Sequence, residues 1–181
     1  MADLIAPSTG NLQIGKANIY FTPVGHARRH IGNVPTGTFE LAIDKLDHFS
    51  SMSGIKKKDF SATLSVTGTL TLSLEEMNVE NLALAMLGDT PAADNSTEGD
   101  GNIGFIIGEV ESVTGRIEVI GSNDVGPRYT YDFPSVTFTP SKAVDFIGED
   151  FTALELTGDV LAVTIDGKVG FGKAILQTSG T

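Results

Sequence analysis

Apolar and polar positions alternate most strictly in FSATLSVTGTLTLSL, Phe60 to Leu74. The even positions read Phe60, Ala62, Leu64, Val66, Gly68, Leu70, Leu72 and Leu74, and every odd position from Ser61 to Ser73 is Ser or Thr. Period two is the mark of a strand with one buried face. At roughly 3.3 Å per residue the segment spans about 50 Å, longer than most strands of globular proteins. Gly68 is expected to mark a bend or bulge. The other face carries hydroxyls and no charge. The pattern then changes to SLEEMNVENLALAMLG, which predicts a helix over about residues 74–87. Ser73 and Glu76 have capping-box spacing, Glu75 and Glu76 suit a first turn, and Gly88 suits the stop. Leu82 to Leu87 is apolar nearly all round, so this half must be covered on more than one side. Either the chain's own core buries it or a neighbouring subunit covers the remainder, with Leu84 and Leu87 as the contacts.

The next stretch, GDTPAADNSTEGDGN, is polar, acidic and aperiodic, and reads as a surface loop over about residues 88–102. Beyond it Ile103, Phe105 and Ile107 alternate, as do Gly115, Ile117 and Val119. Tyr129, Tyr131 and Phe133 alternate up to Pro134, and Val136 and Phe138 then take the other phase. The apolar runs VLAVTI and KVGFGKAI are joined by Asp166-Gly167, a dipeptide that favours a tight type I′ hairpin. Ahead of the long strand, NIYFTPV and GTFELAID read as two more strands separated by a long loop at about 22–37. The sum is a mainly β chain, an antiparallel β-sandwich or barrel with one flanking α-helix, in a single domain over 1–181.

Composition narrows the chemistry. There is no cysteine, which excludes disulfides, thiolate metal sites and cysteine nucleophiles. The net charge of −11 argues against tight nucleic-acid binding, which rests on phosphate neutralisation by Lys and Arg. No apolar run approaches the roughly 18 residues of a membrane span, and no basic segment followed by an apolar run resembles a secretory leader. GDGNIG, Gly99 to Gly104, matches the dinucleotide fingerprint in letters, but the fingerprint needs a strand before it and a helix after it. Asp94, Glu98 and Asp100 cluster like a calcium loop, yet the twelfth position counted from Asp94 is Phe105 rather than a bidentate carboxylate. SSMSG lacks the first glycine of a nucleophile elbow. No nucleophile, base and orienting acid assemble, so no catalytic residue, cofactor or metal is assigned.

Basic residues concentrate in two places. VGHARRHIG, Val24 to Gly32, holds His26, Arg28, Arg29 and His30, and Lys56, Lys57 and Lys58 form a run. The histidine spacing would suit a metal on a helix, but Pro23, Gly25, Gly32 and Pro35 surround it. Solvated basic patches are one reading. The other is contact between copies: head-to-tail assembly joins two different faces of one subunit, and opposite charges on them orient the encounter.

Three segments in order carry a family resemblance: GTFELAIDKLDHFS, GIKKKDFSATLSVTGTLTLSLEEMNVENLALAMLG and TYDFPSVTFTPSKAVDFIGEDFTALELTGDVLA. Together they resemble the major tail tube protein of long-tailed phages with non-contractile tails. The resemblance implies a β-sandwich with one flanking helix. It also implies hexameric rings stacked into a tube, the conduit through which double-stranded DNA passes without specific binding. The implied partners are further copies of the chain and the tape measure, tail tip and tail terminator proteins, in a virion tail assembled in the host cytoplasm. The resemblance places Thr22 to Gly37 in contact between rings, with His26, Arg28, Arg29 and His30 as the candidates, while the segregation of charge makes Lys56, Lys57 and Lys58 candidates for contact between subunits. With the chain ending at Thr181, no C-terminal decoration domain is expected. The alternative is a monomeric β-sandwich binding module for carbohydrate or a host surface. It is weakened by the absence of tryptophan and the presence of only three tyrosines.

Overall fold

A computed structural model of the chain describes residues 8–52, 54–93, 101–140, 143–147, 149 and 151–178. The strands are β1 (Ala17–Pro23), β2 (Arg29–His30), β3 (Thr36–Ser50), β4 (Lys57–Leu74), β5 (Ala92–Ala93), β6 (Ile103–Gly104), β7 (Val113–Gly121), β8 (Tyr129–Pro140), β9 (Leu154–Val160), β10 (Val163–Ile165), β11 (Lys168–Gly170) and β12 (Lys173–Leu176). One helix, α1 (Val79–Ala85), follows β4. The main sheet runs β2-β1-β7-β8-β9-β4-β3, with β12 also paired to β8. Its ladders are all antiparallel. The chain is therefore mainly β, with one α-helix, as the alternation predicts.

The sheet curls until its ends meet. Five steps of about 4.8 Å separate β1 from β3 along a flat sheet. Yet a Cβ built on Gly37 of β3 would sit 3.9 Å from the Ile19 Cδ1 of β1. The Phe39 and Phe133 rings, on β3 and β8, lie 4.8 Å apart. The enclosed core comprises Ile19, Phe21, Leu70, Leu72, Leu74, Ile117, Phe133, Val136, Phe138, Leu154, Leu156 and Val160, with Leu84 of α1 against it. The phase change in β8 is a bulge: Gly115 pairs with Val136 and Ile117 with Phe133, so two residues of β8 oppose one of β7. Pro134, which has no N–H to donate, sits in that irregularity. At the β10–β11 turn Asp166 and Gly167 both have positive φ, as a type I′ turn requires.

Three local expectations are corrected. The helix is shorter than 74–87, because the β4–β9 ladder runs through Ser73↔Glu155 and Leu74↔Leu154 and takes those residues as strand. The cap is Asn78, whose side chain accepts from the Asn81 N–H, and Glu76 instead accepts from the Asn33 N–H at 2.9 Å. The helix closes through Leu87 in the left-handed region and a 2.8 Å bond from the Gly88 N–H to the Ala83 carbonyl. Gly68 is neither bend nor bulge, since pairing is regular from Leu41↔Gly68 to Ala42↔Thr67. It is a close approach, where a Cβ would stand 3.1 Å from the Phe39 ring and 3.3 Å from Phe171.

Gly158 of β9 is the tighter case. A Cβ there would lie 2.7 Å from Val136 and 2.8 Å from Phe138 on the neighbouring strand. Gly158→Ala therefore overpacks the centre of the sheet. It should lower unfolding free energy by about 1–3 kcal/mol, read as a shift of the urea midpoint.

Candidate functional site

The long strand has two halves of one pattern and two environments. From Gly68 to Leu74 its even positions are buried; from Phe60 to Val66 most of them are exposed. The reason lies in the partner strand. β9 accompanies β4 only from Leu154↔Leu74 to Val160↔Gly68. Beyond Gly68 only β3 pairs with β4, and the two project from the body as a two-stranded arm. Each cross-strand pair puts its two side chains on one face of this arm. The shift between Asp44 and Lys45 adds Leu64 to β4 while β3 alternates without interruption, so Ile43↔Val66 lie on one face and Leu46↔Ala62 and His48↔Phe60 on the other. Ile43, Leu46, Phe60 and Leu64 are 56–64% exposed. With Leu41, Val66 and Phe49 they leave large apolar side chains uncovered on both faces of the arm. The outer edge of β3 is also open along its length among the described residues.

Lys56, Lys57 and Lys58 stand where the arm turns back. Lys58 Nζ lies 2.7 Å from Asp47, and the Ser61 hydroxyl donates to the same carboxylate at 2.6 Å. These two partners hold the Asp47 carboxyl below its usual range. His48 Nδ1 and Asp59 Oδ1 are 2.6 Å apart. The arm, residues 42–67, contains three acids (Asp44, Asp47, Asp59) and four lysines (Lys45, Lys56, Lys57, Lys58), so it carries +1 against the net −11 of the whole chain.

The histidine–arginine segment is folded back rather than extended. β2 pairs with β1 through Tyr20↔His30 and Phe21↔Arg29, and Ile31 is buried. Arg28 stacks 3.7 Å above the Tyr20 ring and donates to Glu118 at 2.6 Å. The ladder continues through Arg116 to Asp132 at 2.7 and 3.0 Å, which raises the Arg116 pKa. Arg29 donates to Asn81 Oδ1 at 2.6 Å and to the Glu80 carbonyl. Burial lowers its pKa, opposed by the Glu80 charge. His30 Nδ1 accepts from the Gly32 N–H, and His26 Nε2 lies 3.3 Å from the Thr90 hydroxyl. His26 and Arg29 line a cleft of about 450 Å³ with Phe21, Leu84, Asp89 and Val113. Both arginines thus have partners within their own chain. Leu84 and Leu87 are 5% and 8% exposed, so the core covers the two side chains expected to meet a neighbour.

Asn81 is the residue that pattern reading missed. It is fully buried, donates to the Ile31 and Glu76 carbonyls at 2.9 Å each, and accepts from Arg29. One side chain so ties the β2 segment, the β4–α1 connection and α1 together. Its sequence signal is a lone amide between apolar helix positions. Asp94, Glu98 and Asp100, the Asn95-Ser96-Thr97 sequon, and Gly99 of the GDGNIG match lie outside the described residues. That match runs into strand β6 rather than a helix. Among the described residues no group of three or more His, Asp or Glu side chains is placed to hold a metal ion. None of the described helices is long and apolar enough to cross a membrane.

A curled antiparallel sheet with one α-helix among the described residues and a projecting hairpin that exposes apolar side chains defines the protein as a β-domain with an extended arm. Residues 12–103, a little over half of the chain, match the model of the protein family of unknown function UCP028589, and the chain belongs to that family. The matched span contains the whole arm and α1. Among curated proteins none matches the chain.

Asn81→Ala leaves the buried Ile31 carbonyl, the Glu76 carbonyl and the Arg29 guanidinium each short of a partner. It should cost about 1–3 kcal/mol in chemical denaturation. Arg28→Ala removes a partly exposed pair and should cost under about 1 kcal/mol in the same measurement.

Proposed function

We propose that the chain is a structural subunit that assembles with copies of itself into stacked rings, forming the tube of a long-tailed phage through which the genome leaves. The observation that carries this reading is the arm, whose exposed apolar side chains and free edge have no cover within the described chain. A monomer in water gains nothing from such exposure, and an open edge of that length invites pairing with other chains. Repeated side by side around a ring, arm and edge are buried by their neighbours, and closing the ring removes the free edge altogether. On this reading Lys56, Lys57 and Lys58 meet other subunits. Arg28, Arg29, His26 and His30 hold the subunit together instead of reaching into the next ring. The opposite face of the sheet agrees with a conduit. Glu40 sits beside Thr69, which sits beside Asp159 and then Thr137, a row of acids and hydroxyls that repels a polyanion. The subunit works by packing and has no catalytic role.

Negative-stain microscopy of purified protein at rising concentration should show rings or hollow tubes of uniform diameter. Leu46→Glu combined with Leu64→Glu places charge among the exposed apolar side chains of the arm. The double variant should leave the melting temperature within a few degrees of wild type while abolishing assembly. Wild-type protein that stays monomeric across concentration and salt would refute the reading. So would a charged arm that assembles as well as wild type.

A further inference from the structure

We propose that the arm of one copy seats on the exposed side chains of Phe146, Ile147 and Phe151 of a second copy, joining opposite ends of the subunit. This rests on the self-assembly reading above and supplies the surface that receives the arm. The topology sets the ends. β4 begins at the arm tip with Lys57 and reaches the body only at Gly68, and its last residue, Leu74, pairs with Leu154, the first of β9. The connection entering β9 is therefore at the end of the sheet remote from the arm. Val144 packs against the core and anchors that connection. Phe146, Ile147 and Phe151 stand 79% or more exposed, three large apolar side chains held in water next to Asp145 and Glu149.

The two ends are complementary. The arm offers exposed apolar side chains on both faces and ends in Lys56, Lys57 and Lys58; the segment before β9 offers apolar side chains flanked by the exposed carboxylates Asp145 and Glu149. Apolar cover drives the association, and the charge pattern orients it. Reach is sufficient. The arm strand from Lys57 to Thr67 extends about 36 Å, against about 23 Å for the body portion of β4 from Gly68 to Leu74. A contact between two different surfaces of one chain propagates instead of closing on itself, which suits an open-ended stack. Pairing arm with arm would bury the arm's apolar side chains but leave Phe146, Ile147 and Phe151 uncovered.

The absence of native cysteine makes the test direct. Leu46→Cys and Ile147→Cys are prepared singly and together, with Leu64→Cys and Phe151→Cys as a second pair; all four positions are exposed. Each is brought to assembly concentration, oxidised mildly and run on a non-reducing gel, with microscopy in parallel. Mixed single variants should yield a cross-linked dimer, and each double variant a ladder of higher species, that neither single variant gives alone. Efficient cross-linking of Leu46→Cys to itself would overturn the pairing in favour of arm-to-arm contact. Tubes that form with neither pair cross-linking would overturn the pairing and leave the tube reading standing. Monomers without cross-links would overturn both.

Discussion

The length over which β9 accompanies β4 decides what this molecule is. The Ser/Thr and apolar alternation of β4 runs unbroken past Gly68, so nothing in the strand itself changes there. What changes is the neighbour: at Val160 the β4–β9 ladder stops. On one side of that line Leu70, Leu72 and Leu74 are core. On the other, Leu64 and Val66 carry the same chemistry into solvent. Hydrophobic burial rewards the first set inside the chain and leaves the second without cover among the described residues; on the proposed function, one strand would serve both folding and association.

The body is kept rigid by a different kind of interaction. α1 is too short to be stable alone, and packing plus its capping and closing bonds hold it. Asn81 does the joining, because a buried amide must find partners and here they come from the β2 segment, through Arg29 and Ile31, and from Glu76 between β4 and α1. Arg29 completes the set, with its charge partly desolvated. This arrangement uses the chain's most basic segment for internal cohesion. The surface beside it is correspondingly poorer in free positive charge than residue types alone suggest.

Much of the fold was legible. Period two identified β3 and β4, the dipeptide Asp166-Gly167 identified the tight turn, and the change of phase across Pro134 marked the bulge in β8. The helix was located but not bounded. Its capping box competed with a strand ladder whose partner, β9, is far away in the chain. β2 was invisible, because two residues carry no periodicity and their pairing depends on the Gly-bounded turn before them. The candidate surface was only half legible. Alternation showed an apolar face on Phe60 to Leu74 but not where its cover ends, which is a tertiary fact. The arm's β3 side had a readable clue: its apolar phase slips between Ile43 and Leu46, where the ladder shifts register.

Those shifts carry a consequence of their own. The β3–β4 pairing slips at Asp44/Lys45 and again at His48/Phe49, leaving Leu64 and Asp59 as extra residues on β4. Each slip twists the ribbon and interrupts the even spacing of the free N–H and C=O groups of β4, the strand that carries the extra residues. An unbroken edge of this length would be a template for any extended chain. The two irregularities therefore disfavour indiscriminate pairing along the arm, and on the proposed self-assembly a matching copy would have to be shaped to them.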